Sequence, residues 1–250
     1  MKVVVVLPAY NCAKSLKKTI SEIPQDVVNE IVLVDDFSSD DTLGVAEECC
    51  IKHIIKHDRN LGYGANQKTC YDTALMLDAD IIVMLHPDYQ YDPKLITLII
   101  DKILHGADIV LASRMMKGFE AVRNGMPLYK YLCNRILTKF QNLCFKKHLS
   151  EYHTGYRAYK RNVLMSIKYH DFSNDFIFDN QIIIEAFSKG YKIQEIYCPA
   201  RYDNLSSSIK ILRSAKYGCQ VVYYTIKYSL QGTTQGNGLT GGLPPVRFSM

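Results

Sequence analysis

The sequence predicts an α/β protein with a mostly parallel central sheet, and three observations lead there. The apolar runs "KVVVVLPAY", "EIVLVDD" and "DIIVMLHPD" are continuous rather than alternating, as strands covered on both faces are. Stretches of helical periodicity separate them. Helix-opening and helix-closing residues stand between the runs.

The elements follow in order. After the first run, "NCAKSLKKTISEI" puts Leu16, Ile20 and Ile23 on one helical face. After the second, "SSDDTLGVAEECC" opens on serine and aspartate caps, and "GANQKTCYDTALML" forms a further helix. "DPKLITLIIDKILHG" has Asp92 as cap, Pro93 at the first helical position and Gly106 as terminator, and "ADIVLASR" returns as a strand. The stretch "MPLYKYLCNRILTKFQNLCFKK" spaces Leu128, Leu132, Ile136, Phe140 and Leu143 along one amphipathic helix with basic residues between them. Beyond "HTGYRAYKRNVL" come a helix, "DNQIIIEAFSKG", and a strand, "YKIQEIYCPARY". A second amphipathic helix follows the serines 206–208 and carries Ile209, Leu212, Ala215, Cys219, Val222, Ile226 and Leu230. From Gln231 the chain is rich in Gly, Thr and Pro, so residues 1–230 read as one domain and 231–250 as a flexible tail.

With 48% hydrophobic residues among 250, the chain is able to bury one large core. Its opening apolar run is too short for a signal peptide, and no stretch approaches the roughly 18 to 20 apolar residues of a membrane span. Eight cysteines without a CxxC pair read as reduced thiols of a cytoplasmic protein.

The net charge of +5 conceals a division: residues 1–113 carry −7, 114–161 carry +9, 162–200 carry −2 and 201–231 carry +4. An acidic part followed by basic segments suits a cation site beside a surface for phosphates; no nucleic-acid partner is expected. In open α/β sheets ligands collect at the carboxyl ends of the strands. Three polar groups stand at such ends: Pro8 to Asn11, Asp35 with Asp36, and His86 to Gln90. In "MLHPDYQYDP", His86, Asp88 and Gln90 occupy alternate positions and share one face if the extended conformation continues. They either hold a metal or make the turn before Asp92. A literal "DAD" at Asp78 and Asp80 precedes its strand and lies at the wrong end.

The motifs "VVLPAYN", "EIVLVDDFSSDDT", "NLGYGANQK", "HPDYQ", "ASR" and "TGYRAYKR", in this order, resemble the family 2 glycosyltransferases. Within them they resemble the polyprenyl-phosphate sugar synthases, typified by dolichyl-phosphate mannose synthase. The resemblance spans most of residues 2–230 and implies the GT-A fold, a Rossmann-like αβα sandwich, here with amphipathic C-terminal helices. It implies inverting transfer from a nucleoside diphosphate sugar to a polyprenyl phosphate at the cytoplasmic membrane face. By resemblance Pro8, Ala9, Tyr10 and Asp36 contact the nucleoside, and Gly62, Gly64 and Lys68 lie near ribose and phosphates. Asp88 and Gln90 hold a divalent cation, with His86 where the family has the first acid of its DxD motif. A neutral imidazole there favours Mn2+ over Mg2+. Arg114, Lys130 and Asn134 correspond to positions that bind the lipid phosphate, and Arg201, Ser207 and Ser208 to a segment closing over the donor diphosphate. The alternatives are transfer to a saccharide hydroxyl, with Asp179 as base or else merely as a helix cap, and nucleotide-sugar binding without turnover.

Overall fold

Strand β1 (Val3–Ala9) is buried at all seven positions, which requires a strand on either side and helices over both faces. A computed structural model describes residues 1–199, 201–202 and 211–235 and supplies those neighbours. The other strands are β2 (Glu30–Asp35), β3 (His53–Lys56), β4 (Ile81–Met84), β5 (Ile109–Ser113), β6 (Arg157–Lys160) and β7 (Ile193–Tyr197). Their order is β3-β2-β1-β4-β6-β5-β7. Every pairing is parallel except those of β6, which runs against both β4 and β5.

Alternation along β1 divides the core. Val3, Val5 and Leu7 pack with Leu16 of α1 (Ala13–Ser21) and with Ile99 and Ile103 of α4 (Ile96–Leu104). Val4 and Val6 face Tyr71 and Ala74 of α3 (Tyr63–Met76) and Ile182 and Ile183 of α8 (Phe178–Ser188). The expected αβα layering is thus present. Helix α2 (Thr42–Glu48) lies beside α1, with α5 (Glu120–Arg123), α6 (Leu128–Phe145), α7 (Arg161–Ser166) and α9 (Ile211–Gln235) completing the described helices.

Several expectations need correction. β3 and β6 are not apparent in the sequence, because "HIIK" is a short edge strand and "RAYK" has charged residues at both ends. The "SSDDT" turn is closed by Asp40, whose Oδ1 accepts from Thr42 N at 3.1 Å. Helix α9 continues to Gln235, past the expected start of the tail at Gln231; Ile209 and Ser206 to Ser208 lie outside the described residues. The start of α4 is as read: Asp92 accepts from Lys94 N at 3.0 Å, Pro93 opens a short 3-10 turn, and Gly106 follows with φ +96. All eight cysteines are thiols.

Helix α6 is packed inside out. Its buried residues are Asn134, Thr138 and Gln141, whereas Leu128, Leu132, Ile136 and Leu143 of the apolar stripe are exposed. Gln141 and Asn180 exchange hydrogen bonds of 3.0 and 3.2 Å, so the polar face is satisfied by docking on α8.

The antiparallel strand carries the most consequential buried group. Arg157 is fully buried, and its guanidinium donates to Thr154 O at 2.6 Å, Asp179 O at 2.6 Å and Tyr152 O at 3.0 Å. Its NH2 lies 3.9 Å from Asp179 Oδ2. Arg157→Met should therefore lower the unfolding free energy by about 3 to 5 kcal/mol, the cost of stranding one half of a buried pair. Urea denaturation of the two chains checks this.

Candidate functional site

At the ends of β1 and β2, Pro8 and Ala9 are buried and Tyr10 is exposed. Asn66 of α3 donates to Ala9 O at 3.2 Å and Val34 O at 3.1 Å, which fixes the two strand ends together. Asp36 is buried and already engaged. Oδ1 meets His57 Nδ1 and Leu61 N, both at 2.8 Å, and Oδ2 accepts from Gly62 N at 3.0 Å. Its carboxylate thus shapes the 57–62 turn beside the strand ends, an arrangement in which His57 has no counterpart among the sequence expectations. Gly62 caps α3, and Gly64 lets the chain approach the 173–174 segment: a Cβ on Gly64 would lie 2.4 Å from Ser173 O. Lys68 directs three N–H groups into residues 170–174, to His170 O at 3.0 Å, Phe172 O at 2.6 Å and Asn174 Oδ1 at 2.8 Å. In this structure it is a strut rather than an open phosphate ligand.

The loop after β4 does not keep the extended alternation that would align His86, Asp88 and Gln90. The strand stops at Met84, residues 87–88 turn, and Tyr89 has φ +58. Asp88 is half-buried with Oδ1 accepting from Gln90 N at 3.1 Å. The His86 ring lies on the ring of Tyr63, with Nε2 3.0 Å from the hydroxyl, and Tyr63 donates to Asp179 Oδ2 at 2.6 Å. Gly155 makes room for this ring, since a Cβ there would lie 2.5 Å from Nε2. Asp179 makes no helix-capping bond; its side chain is in this chain of contacts, and Oδ1 is buried without a partner among the described residues. Among those residues no three His, Cys, Asp or Glu side chains gather in a metal-holding group. His86, Asp88 and Gln90 nevertheless supply one imidazole, one carboxylate and one amide within five residues, donor types that divalent ions accept. Arg201 N donates to Gln90 O at 2.9 Å, and its guanidinium lies 4.4 Å from the centre of the Tyr89 ring. Ser207 and Ser208 fall outside the described residues.

Of the expected acceptor residues, Arg114 and Asn134 converge on an acid with no counterpart in the sequence expectations. Glu151 is fully buried and takes the Arg114 side chain in a close ion pair, with Arg114 N at 2.8 Å and Asn134 Nδ2 at 2.8 Å. Arg114 also donates to Tyr202 OH and His153 O, each at 3.1 Å. Arg114 holds the Glu151 carboxyl below its ordinary range despite burial, which opposes that shift. Lys130 is half-buried and has no hydrogen bond or ion pair among the described residues. Burial, then the charge of Arg114, lower its pKa. Glu151 balances Arg114 but not Lys130, which leaves an excess of positive charge among the described residues that an anion would offset. The signal for Glu151 was available: residues 114–161 hold only two acids, Glu120 and Glu151. Tyr63, His153 and Arg157 gave no comparable sign.

Residues 4–168 match glycosyl transferase family 2. A polyprenol monophosphomannose synthase of Mycolicibacterium smegmatis is 24% identical over 202 residues, covering 78% of this chain and 76% of that one. The UDP-N-acetylglucosamine--dolichyl-phosphate N-acetylglucosaminyltransferase of Methanococcus voltae is 27% identical over 175 residues, covering 64% and 69%. The crystal structure of glucosyl-3-phosphoglycerate synthase from Mycobacterium tuberculosis with UDP is similar at TM-score 0.70 and 17% identity, covering 91% of this chain and 80% of that one. Other structures of that enzyme contain UDP with Mn2+ or Mg2+. The likeness shows a shared GT-A fold.

Beside the acceptor residues, His153 Nδ1 lies 2.7 Å from Tyr217 OH of α9, and burial pushes the imidazole down to about 4 from 6.5. The folded state then binds fewer protons than the unfolded state between those values. The stabilisation is complete above pH 6.5 and is lost as pH falls toward 4, by up to about 1.4 kcal/mol per unit. His153→Gln should flatten this slope in denaturant melts across that window.

Proposed function

Because the chain belongs to glycosyl transferase family 2, we propose that it moves a sugar from a nucleoside diphosphate sugar, with inversion, to a polyprenyl phosphate. The observation that carries this reading is Lys130, a half-buried cation without an ion-pair partner among the described residues, beside the Arg114–Glu151 pair. A phosphate monoester is already largely dianionic near pH 7, so it needs cations more than it needs a base. Its oxygen bonds to the anomeric carbon from the face opposite the diphosphate. The carbon–oxygen bond to the diphosphate breaks, and its electron pair leaves with that group. Arg114 is oriented for this by Glu151, and Lys130 adds a charge on the same side. Asp36 and Lys68 hold the walls of the donor cleft. His86, Asp88 and Gln90 would hold a divalent ion, which supplies charge stabilisation of the leaving diphosphate. The names of the two lipid-phosphate relatives agree with this substrate class.

A saccharide hydroxyl as acceptor is the second reading, and the unpartnered Oδ1 of Asp179 favours it. Against it, Oδ2 is engaged by Tyr63 and the Arg157 charge lies 3.9 Å away. Transfer assays with a panel of nucleoside diphosphate sugars, offered polyprenyl phosphate or saccharides, separate the two. With the lipid acceptor, Lys130→Ala should raise the acceptor KM about ten- to a hundredfold, the value of one to two charged hydrogen bonds. Asp179→Asn should retain turnover at saturating Mn2+. An inactive but folded Asp179→Asn, together with a normal Lys130→Ala, would transfer the assignment to the hydroxyl acceptor.

The reading also places the chain on a membrane surface. No helix among the described residues is long and apolar enough to cross one. The outward stripe of α6 is continued on α9 by exposed Val222, Tyr223, Ile226 and Leu230, within the basic part of the chain. Apolar side chains ringed by lysines and arginines suit an anionic bilayer surface. Sedimentation with anionic vesicles should show binding that weakens steeply with salt and falls further in Leu132→Asp/Ile136→Asp. An absence of binding at low salt would remove the membrane from the scheme.

A further inference from the structure

The position at which the resemblance expects an acid holds His86, and the contacts around it determine which of its nitrogens is available. Tyr63 has one hydroxyl proton to place between two contacts, Asp179 Oδ2 and His86 Nε2. That proton goes to Asp179 Oδ2 at 2.6 Å, because a carboxylate beside the Arg157 guanidinium accepts and does not donate. The Tyr63 oxygen is then an acceptor toward His86 Nε2 at 3.0 Å, so the proton of that contact belongs to the imidazole. Stacking on Tyr63 and the close passage of Gly155 leave the ring little room to flip. Nδ1 has no hydrogen-bond partner among the described residues.

We infer that Asp179 and Tyr63 are positioning residues that lock His86 in the Nε2–H form and so present Nδ1, with its lone pair, as the ligating atom for the divalent ion beside Asp88. This rests on the proposed metal-dependent transfer and extends it to the residues that fix the ligand. It also gives Asp179 a task other than that of a base. A metal-bound histidine commonly donates its other N–H to an outer partner, which holds the ring and raises its basicity. Here the partner is a tyrosine that hands the interaction on to a carboxylate.

Long-range proton–nitrogen NMR of the metal-free, 15N-histidine-labelled chain reads the tautomer directly, with His86→Ala used to assign the signal. The expected form is Nε2–H in the parent chain and a mixture in Tyr63→Phe. Titration of Mn2+ in the presence of UDP or GDP, whichever binds, should show affinity at least about tenfold weaker in Tyr63→Phe and in His86→Ala. Thermal melts establish that both are folded. An Nδ1–H imidazole in the parent chain, or parental Mn2+ affinity in folded Tyr63→Phe, would overturn the inference even if sugar transfer proceeds with metal. If the tautomer and affinities are as expected and no donor sugar is turned over, the proposed transfer fails and the ligand assignment stands.

Discussion

A buried guanidinium governs this structure. Arg157 lies on the one described strand that runs against its neighbours, fully buried from bulk solvent, so its surroundings are built to compensate its charge. It holds the carbonyls of Tyr152 and Thr154, which shapes the turn leading into β6, and the carbonyl of Asp179, which fixes the start of α8. The same turn contains Gly155, against which His86 packs, and His153, whose carbonyl receives Arg114. The two halves of the proposed site, donor and acceptor, therefore meet at one cation. A pair of this kind contributes little net stability compared with a well-packed apolar replacement. Its value lies in fixing one arrangement of polar groups.

The two halves are organised by opposite means. On the donor side, Asp36 gathers His57 and the 61–62 backbone, and Lys68 gathers the 170–174 segment, so charged groups are consumed in shaping the walls. On the acceptor side, Glu151 binds Arg114 and Asn134 but leaves Lys130 outside its reach, and a positive surplus remains. One carboxylate thus orders a site whose net charge stays cationic, and this distinguishes it from the surrounding basic surface.

Much of the layering was legible because continuous apolar runs and helix caps are local signals. β1, β2, β4 and β5 appear where such runs predict them, and Asp92, Pro93 and Gly106 mark α4 and the turn before it. Position relative to a strand was also readable: Asp80 sits at the amino end of β4, accepting from Lys2 N at 2.6 Å, far in the fold from the loop of Asp88. What failed depends on long-range contact. β6 has no apolar run because charged residues stand at both its ends, and the buried Arg157 is satisfied by carbonyls of the preceding turn and of Asp179. The alternate spacing of His86, Asp88 and Gln90 suggested a shared strand face, whereas a left-handed Tyr89 turns the chain. Tyr63 belongs to a helix start in the sequence, and only tertiary packing brings it to Asp179, 116 positions later.

In the proposed membrane-bound state, the inverted packing of α6 sets a depth as well as an attachment. Asn134 points inward from the same helix whose Leu132 and Ile136 point outward, and Lys130 lies one turn nearer its start. The width of the helix, about 10 to 12 Å with its side chains, therefore separates the outward apolar side chains from the inward face. A helix lying flat on a bilayer would hold that cationic pocket near the level of the lipid headgroups. A long-chain phosphate would then reach it by sideways diffusion with its hydrocarbon still in the membrane, so the search for substrate takes place in two dimensions.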